Sequence, residues 1–285
     1  MRGVFGLVLA ALVLAGAARA EQPWQTLPPT PTLPGAEHSG LAEVNGIKLW
    51  YAEFGQGEPV ILLHGGFANS NYWGRQVPVL AAYFRVIVID SRGHGRSGHD
   101  NRPLSYDLMA SDVLALMDSL KIQKAAIVGW SDGAIIGLDI AIHNPDRLTR
   151  LFAFGANSDP SGTKEDPGNP IFPEMVKRSQ AEYQEMSPTP GDYKSFASQL
   201  NHMWSTQPKF TAAQLHAIKL PVWIVDGDRD EVIRRENTEF MARTIPNAGL
   251  LIQPEVSHFS FLQKPQQFND DLLNFLGNDR PPTRP

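Results

Sequence analysis

The stretch AIVGWSDGAIIGLDIAIH, residues 126–143, decides the fold. It opens with Ala126–Val128, a short apolar run with two β-branched residues, which suits a strand buried on both faces of a sheet. From Asp132 to His143 the chain is apolar nearly all round, which suits a buried helix that Pro145 stops. Between the two stands Gly129-Trp130-Ser131-Asp132-Gly133. This is a Gly-x-Ser-x-Gly pattern in the strand-to-helix setting that gives it meaning. A serine in so tight a turn takes up a strained backbone, and neighbours without a Cβ relieve the crowding. Its Oγ then stands at the carboxyl edge of the sheet, over the positive end of a helix.

Working outward, similar apolar runs recur at Val60–Leu63, Val86–Ile89, Leu151–Phe154, Val222–Val225 and Leu250–Ile252. Before them, Leu41–Val44 and Ile47–Phe54 flank Asn45-Gly46, a dipeptide that favours a tight hairpin turn. Helical spacing appears over Tyr106–Leu120, Arg235–Thr244 and Gln266–Leu276. Strand and helix alternate after the opening hairpin, which predicts an α/β fold over residues 41–277: a mostly parallel sheet with helices on both faces. One interval breaks the rhythm. Residues 157–219 hold no sheet-like run, only a polar loop and helical segments around Pro173–Met186, Asp192–Trp204 and Thr211–Ile218, and are expected to form an inserted cap.

A serine hydroxyl is a poor nucleophile until a base takes its proton. In chains with this kind of serine turn the acid and then the histidine follow the nucleophile. Of eight histidines, His258 alone meets that order, between the last strand and the last helix. Asp230, three residues after Gly227, is placed to turn back toward it, with Asp228 as the alternative acid. Such an acid holds the imidazole in the correct tautomer. An oxyanion formed at the serine needs backbone donors. The N–H of Asp132 is one candidate, and that of Gly66 the other, or of Phe67 if the turn is offset by one residue. Free histidine titrates near pH 6.5, so activity is expected to fall below about pH 6. His94, His99 and Asp100 crowd one loop but lack the ligand spacing of a zinc site.

Five blocks carry a resemblance: Leu62-Leu63-His64-Gly65-Gly66, Asp90-Ser91-Arg92-Gly93-His94-Gly95-Arg96-Ser97, Gly129–Gly133, Gly227–Asp230 and His258-Phe259. In order and spacing they resemble the α/β-hydrolase superfamily. The resemblance implies a capped sheet, a triad at Ser131, Asp230 and His258, an oxyanion donor at Gly66 and no cofactor; it does not name the substrate, for which a small-molecule carboxylic ester is the expected class. Lactone or carbon–carbon bond hydrolysis and perhydrolysis would use the same triad. Epoxide or dehalogenation chemistry would put an aspartate in place of Ser131, and a binding protein on this fold would usually have lost a triad member. A narrower resemblance, through Gly129–Gly133 and Phe154-Gly155-Ala156-Asn157, is to the valacyclovir (amino-ester) hydrolases, and implies that Asp132 binds a substrate ammonium. Phe67, Trp73, Trp130, Met203 and Trp204 are candidates to line the pocket.

The ends of the chain read differently. Arg2, the apolar Val4–Ala15 and Ala18-Arg19-Ala20 have the layout of a secretory signal peptide over residues 1–20, so a periplasmic or secreted product without a membrane anchor is expected. Removing Arg2 and Arg19 and no acids takes the net charge from −5 to −7. An acidic chain of this kind argues against a nucleic-acid partner. There is no cysteine, so no disulfide supports the fold. Residues 21–40, with five prolines between Pro23 and Pro34, read as an extended surface leader, and 278–285 as a frayed tail.

Overall fold

A computed structural model describes residues 22–165, 168 and 170–277. The expected signal peptide and the tail from Asn278 lie outside them. The hairpin β1 (His38–Val44) and β2 (Ile47–Phe54) turns at Asn45 and Gly46, both with positive φ. The other strands are β3 (Pro59–Leu63), β4 (Arg85–Ile89), β5 (Ala125–Trp130), β6 (Leu148–Phe154), β7 (Val222–Gly227) and β8 (Ala248–Gln253). They form one sheet in the order β1-β2-β4-β3-β5-β6-β7-β8. β1 and β2 pair antiparallel with each other, as do β2 and β4, and every later pairing is parallel. β5 lies near the centre with every residue buried, which is why its sequence shows no alternation of apolar and polar residues.

The helices are α1 (Val77–Leu80), α2 (Tyr106–Ser119), α3 (Asp132–His143), α4 (Ile171–Met186), α5 (Tyr193–Thr206), α6 (Ala212–Ala217), α7 (Arg235–Thr244), α8 (Ser260–Gln263) and α9 (Pro265–Leu276). Among the described residues no helix is long and apolar enough to cross a membrane. α3 packs against β5 and β6 and is buried over Asp132–Ala141. Between β6 and β7 the described residues carry helices α4 to α6 and no strand. α4 buries Ile171, Met175, Ser179 and Tyr183, four positions one turn apart on a single face, and α5 buries Phe196, Leu200 and Met203.

Two features differ from the sequence reading. β1 starts at His38 rather than Leu41, because an edge strand with exposed His38 and Ser39 carries no apolar signal there. The proline-rich segment is also more than a loose leader. Arg178 of α4 donates to the carbonyls of Pro28 and Leu27 at 2.6 and 3.0 Å, Thr30 donates to Glu182 at 2.5 Å, and Gln263 of α8 donates to the carbonyl of Thr26 at 2.9 Å. The segment is a strap that ties cap helix α4 to the body of the fold.

Candidate active site

Ser131 occupies the turn between β5 and α3 with φ 54° and ψ −119°, a left-handed conformation costly for a residue with a side chain. Ser131 N–H donates to Phe154 O at the end of the neighbouring β6 at 2.8 Å, and Ser131 O accepts from Ala134 and Ile135 of α3. Its flanking glycines are there for space. A Cβ on Gly129 would lie 2.4 Å from Gly133 O, and one on Gly133 would lie 2.1 Å from Leu63 O.

His258 lies on the loop between β8 and α8, and Asp230 on the loop after β7. His258 Nδ1 and Asp230 Oδ2 are 2.7 Å apart, with both side chains buried. The other carboxylate oxygen of Asp230 accepts the N–H groups of Val232 and Ile233, each at 2.7 Å, so its orientation is fixed from two sides. Burial alone would raise the pKa of Asp230. The charge of His258 and the hydrogen bonds it receives outweigh this and hold it at about 2. Burial would lower His258, but Asp230, then Glu231 and Asp132, raise it above its ordinary value. The acid limb expected at about pH 6 therefore belongs higher. His258 Nε2 has no hydrogen-bond partner among the described residues, and the ring lines the same cavity as Ser131. Asp228, the alternative acid, lies beside Arg229 and accepts from Val256 N–H at 3.3 Å; no contact joins it to His258.

The cavity holds about 230 Å³ beneath the cap, lined by Gly66, Trp130, Ser131, Asp132 and His258 from the body and Phe172, Met175 and Trp204 from the cap. Gly66 lines it and Phe67 does not. A Cβ at Gly66 would stand 2.5 Å from Asp132 Oδ2 and 2.4 Å from Trp204, so this backbone passes the cavity wall only as glycine. Asp132 is 4 % exposed. Its Oδ1 accepts from Tyr106 Oη at 2.7 Å and Trp204 Nε1 at 2.9 Å, and its Oδ2 accepts from the same indole at 3.0 Å. Burial pushes its pKa up to about 6 even though both donors favour the charged form. The Tyr106 hydroxyl is driven well above its ordinary pKa by burial and by the Asp132 charge, so it stays a donor.

Three expected lining residues lie elsewhere. Phe67 stands edge-on to Trp204 and Phe196 behind the cavity wall, Trp73 is buried against Phe261, and Met203 is a buried residue on the inner face of α5. Large apolar residues near a predicted site are more often packing than lining. His64 accepts from Ser91 N–H at 3.0 Å and faces His94 in a buried ring pair, both lowered in pKa by burial first. Its role is to hold the loops around the site. His99, by contrast, lies at the surface against Asp192.

The sequence reading missed several contributors. Tyr106 begins α2 and reaches Asp132 across 26 residues of chain, a contact no local pattern announces. Lys164 comes from the cap loop, lines the cavity and donates to the carbonyl of Asp230. At Gly155 a Cβ would fall 2.6 Å from the His258 ring, so the glycine after β6 leaves room for the imidazole.

The family model for the alpha/beta hydrolase fold matches residues 58–182, which spans the serine turn, and the sheet order and the serine turn described above agree with it. The chain has the α/β-hydrolase fold. Among curated proteins it is similar to serine hydrolase BPHL of Homo sapiens, 28 % identical over 84 % of this chain and 86 % of that one. It is also similar to 3-oxoadipate enol-lactonase 2 of Acinetobacter baylyi, 26 % identical over 78 % of this chain and 91 % of that one. A solved structure, the meta-cleavage product hydrolase of Pseudomonas fluorescens, superposes with a TM-score of 0.73 at 23 % identity, covering 86 % of this chain and 99 % of that one. At that identity it speaks for the fold alone.

Proposed function

We propose that this α/β hydrolase cleaves small carboxylic esters through Ser131, His258 and Asp230. The observation that carries the reading is the buried 2.7 Å contact of His258 Nδ1 with Asp230, with the other ring nitrogen unpartnered in the cavity that holds Ser131. The substrate carbonyl sits under the cap with its oxygen toward the N–H groups of Gly66 and Asp132. Ser131 Oγ attacks the carbonyl carbon while His258 Nε2 takes the hydroxyl proton. The imidazolium then gives that proton to the leaving alcohol, leaving an acyl-enzyme. Water, deprotonated by His258, attacks the acyl carbon and releases the acid. Each oxyanion donor is worth about 3 kcal/mol of transition-state stabilisation.

The preferred acyl group carries an α-amino function. Asp132 is the acidic side chain lining the cavity, buried and held by Tyr106 and Trp204, and its charge in so dry a place suits a bound ammonium. Similarity to enzymes named as a serine hydrolase and an enol-lactonase supports hydrolysis of an ester or a lactone. The sequence of residues 1–20 supports export to the periplasm or medium, and the N-terminal residue of the mature protein, expected to be Glu21, tests it.

The test of function is turnover of a panel of p-nitrophenyl and aminoacyl esters, each aminoacyl ester paired with its desamino analogue, with Ser131→Ala alongside. Loss of turnover in that variant supports the serine mechanism, and retained turnover refutes it. A kcat/KM at least about tenfold higher for the amino esters at pH 8 supports the ammonium site. Equal values sink it.

A further inference from the structure

The carboxyl end of β7 carries three buried carboxyl groups, and the triad uses one. Asp226 accepts from Gly227 N–H at 2.9 Å and from Thr238 Oγ1 at 2.7 Å. Asp230 is the triad acid. Glu231, next in sequence, is turned inward and 2 % exposed. Its Oε2 accepts the main-chain N–H of His258 at 3.1 Å, and its Oε1 is buried with no hydrogen-bond partner among the described residues. A buried carboxylate oxygen without a donor is costly, and the cost is offset when the group faces a positive charge. The cation at hand is the imidazolium that His258 becomes during each turnover.

We propose that Glu231 is a positioning residue for the base: it fixes the main chain of His258 and sets a second negative charge against the imidazolium. The inference rests on reading Ser131, His258 and Asp230 as the triad. Asp230 holds the ring nitrogen, whereas Glu231 holds the backbone that carries the ring, so the two acids constrain His258 from different directions. The other charged groups facing this cluster are Asp132 at the start of α3, Asp226 on β7, Arg235 at the start of α7 and Lys164 of the cap loop. Burial, and then the charge of Asp230, push Glu231 up to about 7, and burial followed by Asp230 raises Asp226 well above its ordinary value.

Two variants separate the hydrogen bond from the charge. Glu231→Gln keeps an oxygen to accept from His258 N–H and loses the charge, while Glu231→Ala loses both. The measurement is the imidazole titration of His258 by NMR, with pH profiles of kcat and KM beside it. In Glu231→Gln the His258 midpoint is expected to fall by roughly one unit, with the acid limb of kcat/KM moving down by the same amount and thermal stability retained. Glu231→Ala is expected to show the same shift and, in addition, to lose roughly 10²-fold in kcat with KM nearly unchanged, as misplacement of a reacting group does. A folded Glu231→Gln protein with an unmoved His258 midpoint overturns the proposal. The NMR titration needs no turnover, so it remains decisive for Glu231 even if Ser131→Ala shows the triad reading to be wrong.

Discussion

Asp230→Asn probes the site where its geometry is most constrained. The side chain serves three donors: Oδ1 accepts from Val232 and Ile233 N–H at 2.7 Å each, and Oδ2 faces His258 Nδ1 at 2.7 Å. Asparagine has one oxygen with which to replace two. If its oxygen stays on the two backbone donors, its NH₂ points at His258 Nδ1, and the ring must carry its proton on Nε2. That is the wrong tautomer for a base at Ser131. The flipped amide would set NH₂ against two buried N–H groups, each left unsatisfied at about 1–3 kcal/mol. The first arrangement therefore wins, and kcat should drop about 10⁴-fold, or about 5 kcal/mol of transition-state stabilisation. Steady-state kinetics at pH 8 with the fastest ester of the panel gives the loss, and imidazole ¹⁵N shifts report the tautomer. A variant within about tenfold of wild type, or one whose ring keeps its proton on Nδ1, refutes the reasoning. An Asp228→Asn variant with the larger loss would do the same.

The acid limb of kcat/KM should have its midpoint above the ordinary histidine value of 6.5, since Asp230, Glu231 and Asp132 favour the protonated ring; activity needs the neutral base and so rises through that midpoint as pH increases. A midpoint at or below 6.5 contradicts this. Asp132→Asn should lower kcat/KM for α-amino esters by about 10–100-fold and leave desamino analogues within about threefold. In the wild type the amine preference should fade as pH drops through about 6, where Asp132 takes up a proton; paired substrate profiles check both. Arg178→Ala removes two hydrogen bonds to the strap and should destabilise the protein by roughly 1–2 kcal/mol, lowering the melting temperature by a few degrees. An unchanged melting curve would mean the strap is held by its other contacts.

The central sheet was legible because its strands are buried on both faces: Val60–Leu63 and Val86–Ile89 have no polar position to confuse the pattern. The serine turn was legible because its glycines answer to contacts within a few residues, Gly129 against Gly133 and Ala134. Asp230 and His258 were singled out by chain order, since each follows the end of a strand, and the fold brings their side chains to 2.7 Å. Interactions between distant segments left no trace in any window. The Tyr106 and Trp204 donors that hold Asp132, the Lys164 bond to Asp230 and the strap along α4 all join residues from separate elements. For the same reason Phe67, Trp73 and Met203 could not be told from lining residues: burial in a core and burial against a cavity ask for the same side chains.

The most direct test of the central claim is covalent labelling with a fluorophosphonate, followed by peptide mass spectrometry. A nucleophilic serine activated by a histidine should form one adduct, on Ser131, fast in the wild type, absent in Ser131→Ala and slowed by orders of magnitude in His258→Ala. No adduct on the folded wild-type protein, or an adduct on a different serine that persists in Ser131→Ala, would contradict the account.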